Sequence, residues 1–207
     1  MKNPFDKYTP KQLALIGVGM FVVSAVLGAL FNSDVNAAIK RAYKELDEWE
    51  GKTETDSEMS EFLRKYWNAA GLSLQPASIA WSAAFISYAV GSKLLKPSQS
   101  HIEYTRAAYK ARLNKERGKY WAYQPSELGK VKKGDILVRS RGDSPTHWSD
   151  VVGNTGFHQT HGDLVTKVSG NQAFAIGGNK QNSVNEEIYP LVDGRPPSNV
   201  FAVLRKS

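Results

Sequence analysis

Cysteine is missing from all 207 residues, which excludes disulfides, zinc–thiolate sites and a cysteine nucleophile. Negative charge is in short supply as well, with 20 Asp and Glu against 27 Lys and Arg and a formal net charge of +7. The shortage is concentrated between Lys93 and Lys133, where the cations are answered only by Glu103, Glu116 and Glu127. Such a segment attracts anionic polymers: lipid head groups, teichoic acids or peptidoglycan carboxylates outside a membrane, nucleic acid inside. A solvated helical face is the plainer alternative. No nucleic-acid-binding motif accompanies the segment, so no specific nucleic-acid partner is expected. Internal repeats and low-complexity tracts are also absent.

Long apolar runs are lacking except for one. Residues 13–31, LALIGVGMFVVSAVLGALF, carry no charge. As a helix they would reach roughly 28 Å, close to the ~30 Å hydrocarbon core of a bilayer. Lys2, Lys7 and Lys11 precede the run, and the next cation is Lys40. The positive-inside rule then predicts a cytoplasmic N-terminus and a periplasmic or extracytoplasmic domain. A signal peptide ending near Val35-Asn36-Ala37 competes, but the run exceeds the usual 7–15 residue apolar core. A buried core helix is the third reading. The expected organisation is a cytoplasmic tail and transmembrane anchor in residues 1–32, single-pass in an inner membrane, and one domain in residues 33–207. A phage virion is the other setting that suits it.

Within that domain, Asp34 is placed to cap a helix running to about Glu50, with Val35, Ala38, Ile39, Ala42, Leu46 and Trp49 on one stripe. A second helix is predicted over 59–70, stopped by Gly71. Pro76 and Ser78 open a third to about Val90, and a fourth covers about 100–116. The pattern then changes. Gly134-Asp135 turns into Ile136-Leu137-Val138, and short β-like runs follow at 163–168, 173–176, 184–189 and 200–204, separated by Gly, Asn and Pro. Helices followed by antiparallel strands predict an α+β fold.

Three motifs carry residues suited to chemistry. In Trp81-Ser82-Ala83-Ala84-Phe85-Ile86-Ser87, Ser82 falls near the first turn of a buried helix. There, free backbone N–H groups and the helix dipole favour developing negative charge. A serine hydroxyl still needs an adjacent base, and a packing role is the plain alternative. In His161-Gly162-Asp163-Leu164-Val165, His161 opens a strand and is suited to general-base work. In Gly177-Gly178-Asn179, the glycines permit close backbone approach, and an asparagine amide can fix an imidazole tautomer. His147, Asp150, His158, His161 and Asp163 share a window, but their spacing matches no zinc motif, so no metal or other cofactor is expected. His101 is suited to packing or capping the fourth helix, or to lining the same cleft. Arg139 and Arg141 read equally well as contacts for a substrate carboxylate or as solvated loop side chains.

Taken in order, these motifs resemble an uncharacterised domain family of bacteria and their phages. Its marks are W-S-A-A-F-I-S, a serine-histidine-x-x-tyrosine, G-D-[IL]-V, H-x-D-[IV]-V and G-G-N. They are matched by Trp81–Ser87; Ser100, His101 and Tyr104; Gly134 to Val138; His161 to Val165; and Gly177 to Asn179. Tyr66-Trp67, Gly71 and Phe201 to Arg205 also fit. That family is similar in turn to the NlpC and CHAP groups of papain-like cell-wall hydrolases. The resemblance implies helices packed on a short antiparallel sheet, and peptidoglycan as substrate. It implies Ser82 at the position of the family's cysteine nucleophile, His161 as base and Asn179 as its orienting residue. Trp81, His101, Asp163 and Gly178 would line the substrate site.

The serine is a departure, since cysteine hydrolases work through a thiolate. Three states follow: a serine-type amidohydrolase, a fold kept only for binding, or a chain in which serine has replaced a lost cysteine. The reading carried forward is a membrane-anchored peptidoglycan hydrolase cleaving an amide bond, of the host envelope or of phage lysis or penetration. The alternative is a catalytically inactive wall-binding or structural virion protein on the same fold.

Overall fold

The computed structural model describes residues 33–143, 145–153, 156 and 158–207. The expected anchor at 13–31 lies outside the described residues; among those described, no helix is long and apolar enough to cross a membrane. Residues Val35–Ser207 form one unit by their internal contacts.

The first helix, α1 (residues 33–48), buries most of the expected stripe: Ala38, Ile39, Ala42 and, just past its end, Trp49, with Val35 and Leu46 half-buried. Glu45 shares that face and is fully buried. Its carboxylate lies 2.7 Å from Lys65 Nζ, accepts a hydrogen bond from Tyr88 Oη at 3.0 Å, and accepts another from Tyr66 Oη. A buried carboxylate is tolerated only when paired and hydrogen-bonded, and here two helices, α2 and α3, supply the partners. A 3-10 turn (Ser57–Met59) leads into α2 (Ser60–Ala69), which ends before Gly71 at φ +84°.

The third helix, α3 (Ser82–Val90), starts later than Pro76 and Ser78 predict. Pro76 instead begins a turn closed by Ile79 N donating to Pro76 O at 2.9 Å. Trp81 takes the N-cap position and offers no side-chain cap. Its indole is fixed by donating to Glu54 Oε2 at 2.6 Å and by stacking on Trp49 and Tyr66, with centroids 4.9 and 5.7 Å away. Nearly every residue of α3 is buried, as suits a helix that is apolar all round. Its C-terminal carbonyls are met by Arg41, whose Nε donates to Ala89 O at 2.8 Å and Nη2 to Val90 O at 3.2 Å. The fourth helix, α4 (His101–Leu113), follows N-cap Ser100, and a short α5 (Trp148–Gly153) sits between strands.

Six antiparallel strands make the sheet: β1 (Tyr120–Tyr123), β2 (Ile136–Ser140), β3 (Thr160–Ser169), β4 (Gln172–Lys180), β5 (Ser183–Pro190) and β6 (Val200–Lys206), in the order β1-β6-β2-β3-β4-β5. The chain is therefore an α+β protein, as expected. Alternation of side chains divides the sheet into two faces. Ile136, Val138, Leu164, Ile176, Ala202 and Leu204 meet the helices, while Leu137, Val165, Ala175, Tyr189 and Val203 form a smaller cluster on the other face. Asp135, in the predicted Gly-Asp turn, is structural. Its carboxylate accepts two bonds from Arg205 at 2.8 and 2.6 Å and one from Lys132 N at 2.8 Å, tying the turn to β6.

Gly178 brings the layers close. A Cβ at Gly178 would fall 2.6 Å from the Trp81 ring and 2.5–2.7 Å from Phe85. Because both neighbours are fully buried, Gly178→Ala is expected to cost about 1–3 kcal/mol through overpacking. Urea unfolding measures it, and an unchanged midpoint would mean that α3 can shift freely off β4.

Candidate functional site

Ser82 is the first residue of α3, 2% exposed. The N–H groups of a helix's first turn have no intrahelical acceptor. Its hydroxyl meets Nε2 of His101 at 3.1 Å. His101 is the first residue of α4 and 6% exposed, so the pair joins two helix N-termini. What brings them together is partly local: Ser87 Oγ accepts from Ser98 N at 3.0 Å and donates to Ser98 O at 2.9 Å, pinning the lead-in to α4 against α3. The rest is space. A Cβ at Gly162 would collide with Tyr104 Oη and lie 2.9 Å from His101 Cδ2, so His101 rests directly against β3.

Ser82 and His101 open onto a cleft of about 850 Å³, lined also by Ser78, Gln99, Glu103, Arg106, Arg141 and Gln159. Burial is the main force that holds the His101 pKa well below its ordinary 6.5. The neighbouring His161 and Arg141 add to it, and Asp163 opposes it. The imidazole is therefore neutral at neutral pH, and in the tautomer with its proton on Nδ1 the Nε2 lone pair accepts from the Ser82 hydroxyl.

His161 occupies a different place from the one its motif implies. Alternation along β3 turns His161, Asp163 and Val165 to the face away from α3, and Gly162 and Leu164 toward the helices. His161 Nε2 lies 2.9 Å from Asp163 Oδ1, and both residues are fully buried. Asp163 also accepts a hydrogen bond from Tyr189 Oη. Burial alone would raise the Asp163 carboxyl. The His161 charge and hydrogen bond, the Tyr189 hydroxyl and the Lys180 charge outweigh it and hold the group down at about 2. Across Gly162 the His161 and His101 rings come within 5.7 Å, centre to centre.

Asn179 does not orient His161. One ring nitrogen is taken by Asp163, two residues along the same strand, and the other, Nδ1, has no hydrogen-bond partner among the described residues. Asn179 sits at φ +54° in a register shift between Gly177 and Lys180, half-buried at the end of β4. Gly177, rather than Asn179, faces the pair: a Cβ there would collide with Asp163 and lie 3.1 Å from His161 Nε2. Of the seven residues expected at the site, Ser82 and His101 line the cleft, Trp81 and Gly178 pack beneath α3, His161 and Asp163 form a buried pair behind β3, and Asn179 stands apart from that pair.

Among the described residues no group of three or more His, Asp or Glu is placed to hold a metal ion. His158 Nδ1 approaches Asp150 Oδ2 only to 3.9 Å.

Residues 39–195 match the model of a family described as an uncharacterized protein conserved in bacteria, DUF2272. The chain belongs to that family. No curated protein and no solved structure matches it.

Proposed function

We propose that this protein is a serine-type amidohydrolase of peptidoglycan, held at the membrane by residues 13–31, with Ser82 as nucleophile and His101 as its base. The observation that carries this reading is the 3.1 Å contact between Ser82 Oγ and a neutral His101 at a helix N-terminus facing an open cleft. In the first step Ser82 Oγ attacks the amide carbon while its proton passes to His101 Nε2. First-turn N–H groups of α3 are available to the oxyanion. The C–N bond then breaks, the amine takes the proton from His101, and an acyl ester remains on Ser82. Water, deprotonated by the same imidazole, cleaves the ester and restores the hydroxyl.

Imidazolium on His101 forms in a nearly dry place, so it needs a counter-charge. Asp163 is the nearby carboxylate that favours it. His161 stands between the two as a positioning residue. The resemblance to papain-like wall hydrolases supports the substrate class, and the basic stretch from Lys93 to Lys133 suits an anionic polymer.

Near-complete burial of both Ser82 and His101 favours a second reading, a catalytically silent wall-binding or virion module. The two separate in one assay. Full-length chain in detergent, incubated with purified sacculi, is expected to release soluble fragments bearing new amino termini. Sedimentation with sacculi but no new amines, over a pH range of 5–9, would overturn the hydrolase reading in favour of the binder.

A further inference from the structure

Arg139 and Arg141 are two residues apart and equal in sequence, but the structure gives them different work. Arg139 is committed. Its Nη2 donates to Glu187 Oε2 at 2.8 Å, where Lys180 also binds, and its Nε lies 3.9 Å from Asp163. Arg141 follows the end of β2, and only its backbone is engaged, with N donating to Gln159 O at 2.8 Å. Among the described residues its guanidinium has no side-chain or carbonyl partner. It is exposed, and it lines the Ser82–His101 cleft. It also borders a second cavity of about 390 Å³, shared with Arg139, Lys180, Gln181, Asn185, Glu186 and Glu187. Arg141 thus stands where the two hollows meet.

Charge in the cleft points the same way. Among the described residues lining the Ser82–His101 cleft, Arg141 is accompanied by one carboxylate, Glu103, which is itself engaged by Ser98 Oγ at 2.6 Å; Glu186 and Glu187 lie in the other cavity. Arg141 is near enough to His101 to disfavour its protonated form. An anion bound to Arg141 would cancel that repulsion just when His101 takes up the Ser82 proton. A guanidinium with its planar fork unoccupied matches a carboxylate in bidentate fashion.

We propose that Arg141 is the carboxylate-recognition residue of this cleft, selecting peptide substrates that carry a free carboxylate close to the amide presented to Ser82. The inference deepens the hydrolase reading and rests on it for turnover, but not for binding. The probes are soluble peptidoglycan stem peptides and the same peptides with their carboxylates converted to carboxamides.

With full-length chain in detergent, Arg141→Gln is expected to weaken binding of the free acids on the order of 10- to 100-fold, the range for a charge-assisted pair. Binding of the carboxamides should stay within about twofold. Arg141→Lys should recover part of the loss, because charge returns without the fork. In turnover the same loss should appear mainly in KM. Selective, Arg141-dependent binding without hydrolysis would keep the carboxylate site and sink the hydrolase reading. Equal binding of acids and carboxamides by the unsubstituted chain, or equal losses for both with Arg141→Gln, would overturn the carboxylate site whatever the activity.

Discussion

Ser82→Ala is expected to lower amide hydrolysis by roughly a thousandfold or more, the usual scale for removing a nucleophile. Folding should barely change. The substitution removes one hydrogen bond, worth about 0.5–1.5 kcal/mol. The decisive comparison is between the two histidines. His101→Gln should match Ser82→Ala, because His101 holds the serine proton's destination. His161→Gln should retain measurable turnover with an altered pH profile, because His161 touches no reacting atom and acts on His101 only by charge, its own and that of its partner Asp163, across Gly162. If His161→Gln is silent and His101→Gln active, the base has been misassigned. Ser82→Cys adds a further test, since a thiol beside imidazole can ionise. It should keep partial activity that iodoacetamide abolishes. A thiol that alkylates no faster than a free one, in a chain that releases no fragments, would mean that the dyad is not catalytic.

The course of the chain was largely legible because its pattern is strong where its elements are long. The stripe on α1, the apolar α3 and the alternating runs of β2 to β6 follow from periodicity alone. The elements that escaped are short: β1 is four residues beside a basic loop, and α5 is six. The start of α3 moved by several residues because Pro76 and Ser78 serve a turn, and because the Trp81 stack, built from α1 and α2, sets where the helix begins. Glu45 lies on the apolar stripe of α1, and nothing local announces its partners 20 and 43 residues away.

Motif order singled out Ser82 but not the histidine that its hydroxyl meets. Motif order favours His161, the histidine that opens a strand after a Gly-Asp turn. Strand alternation sends its ring to the far face, and the partner of Ser82 comes instead from the start of α4. A signal for this was present in Ser100, His101 and Tyr104, whose spacing puts a histidine and a tyrosine on one helix face. Gly162, in the middle of the His-Gly-Asp motif, is the residue that leaves room for both. Asn179 failed for a similar reason. An acid two residues beyond a strand histidine shares its face, so Asp163 reaches the ring first.

Asp163 carries the largest expected effect on stability. It is fully buried, ionised, and bound by His161 and by Tyr189. Its native pKa of about 2 lies below the ordinary 3.8, so the folded state favours the carboxylate. The corresponding stabilisation is fully present above about pH 5 and is lost as pH falls toward 2. By linkage it amounts to about 2 kcal/mol. Asp163→Asn removes the charge but keeps the volume, and it presents an amide donor to groups that are themselves donors. Breaking a buried pair in this way should cost about 3–5 kcal/mol near neutral pH. The gap between the two proteins should then shrink by about 2 kcal/mol as pH is lowered from 6 to 2, since carboxylates remote from Asp163 titrate alike in both and cancel. Urea unfolding of both chains across that range measures the gap directly. A gap that stays constant with pH would mean that Asp163 is not held as a carboxylate in the folded protein. The counter-charge assigned to His101 would then have to come from the substrate alone.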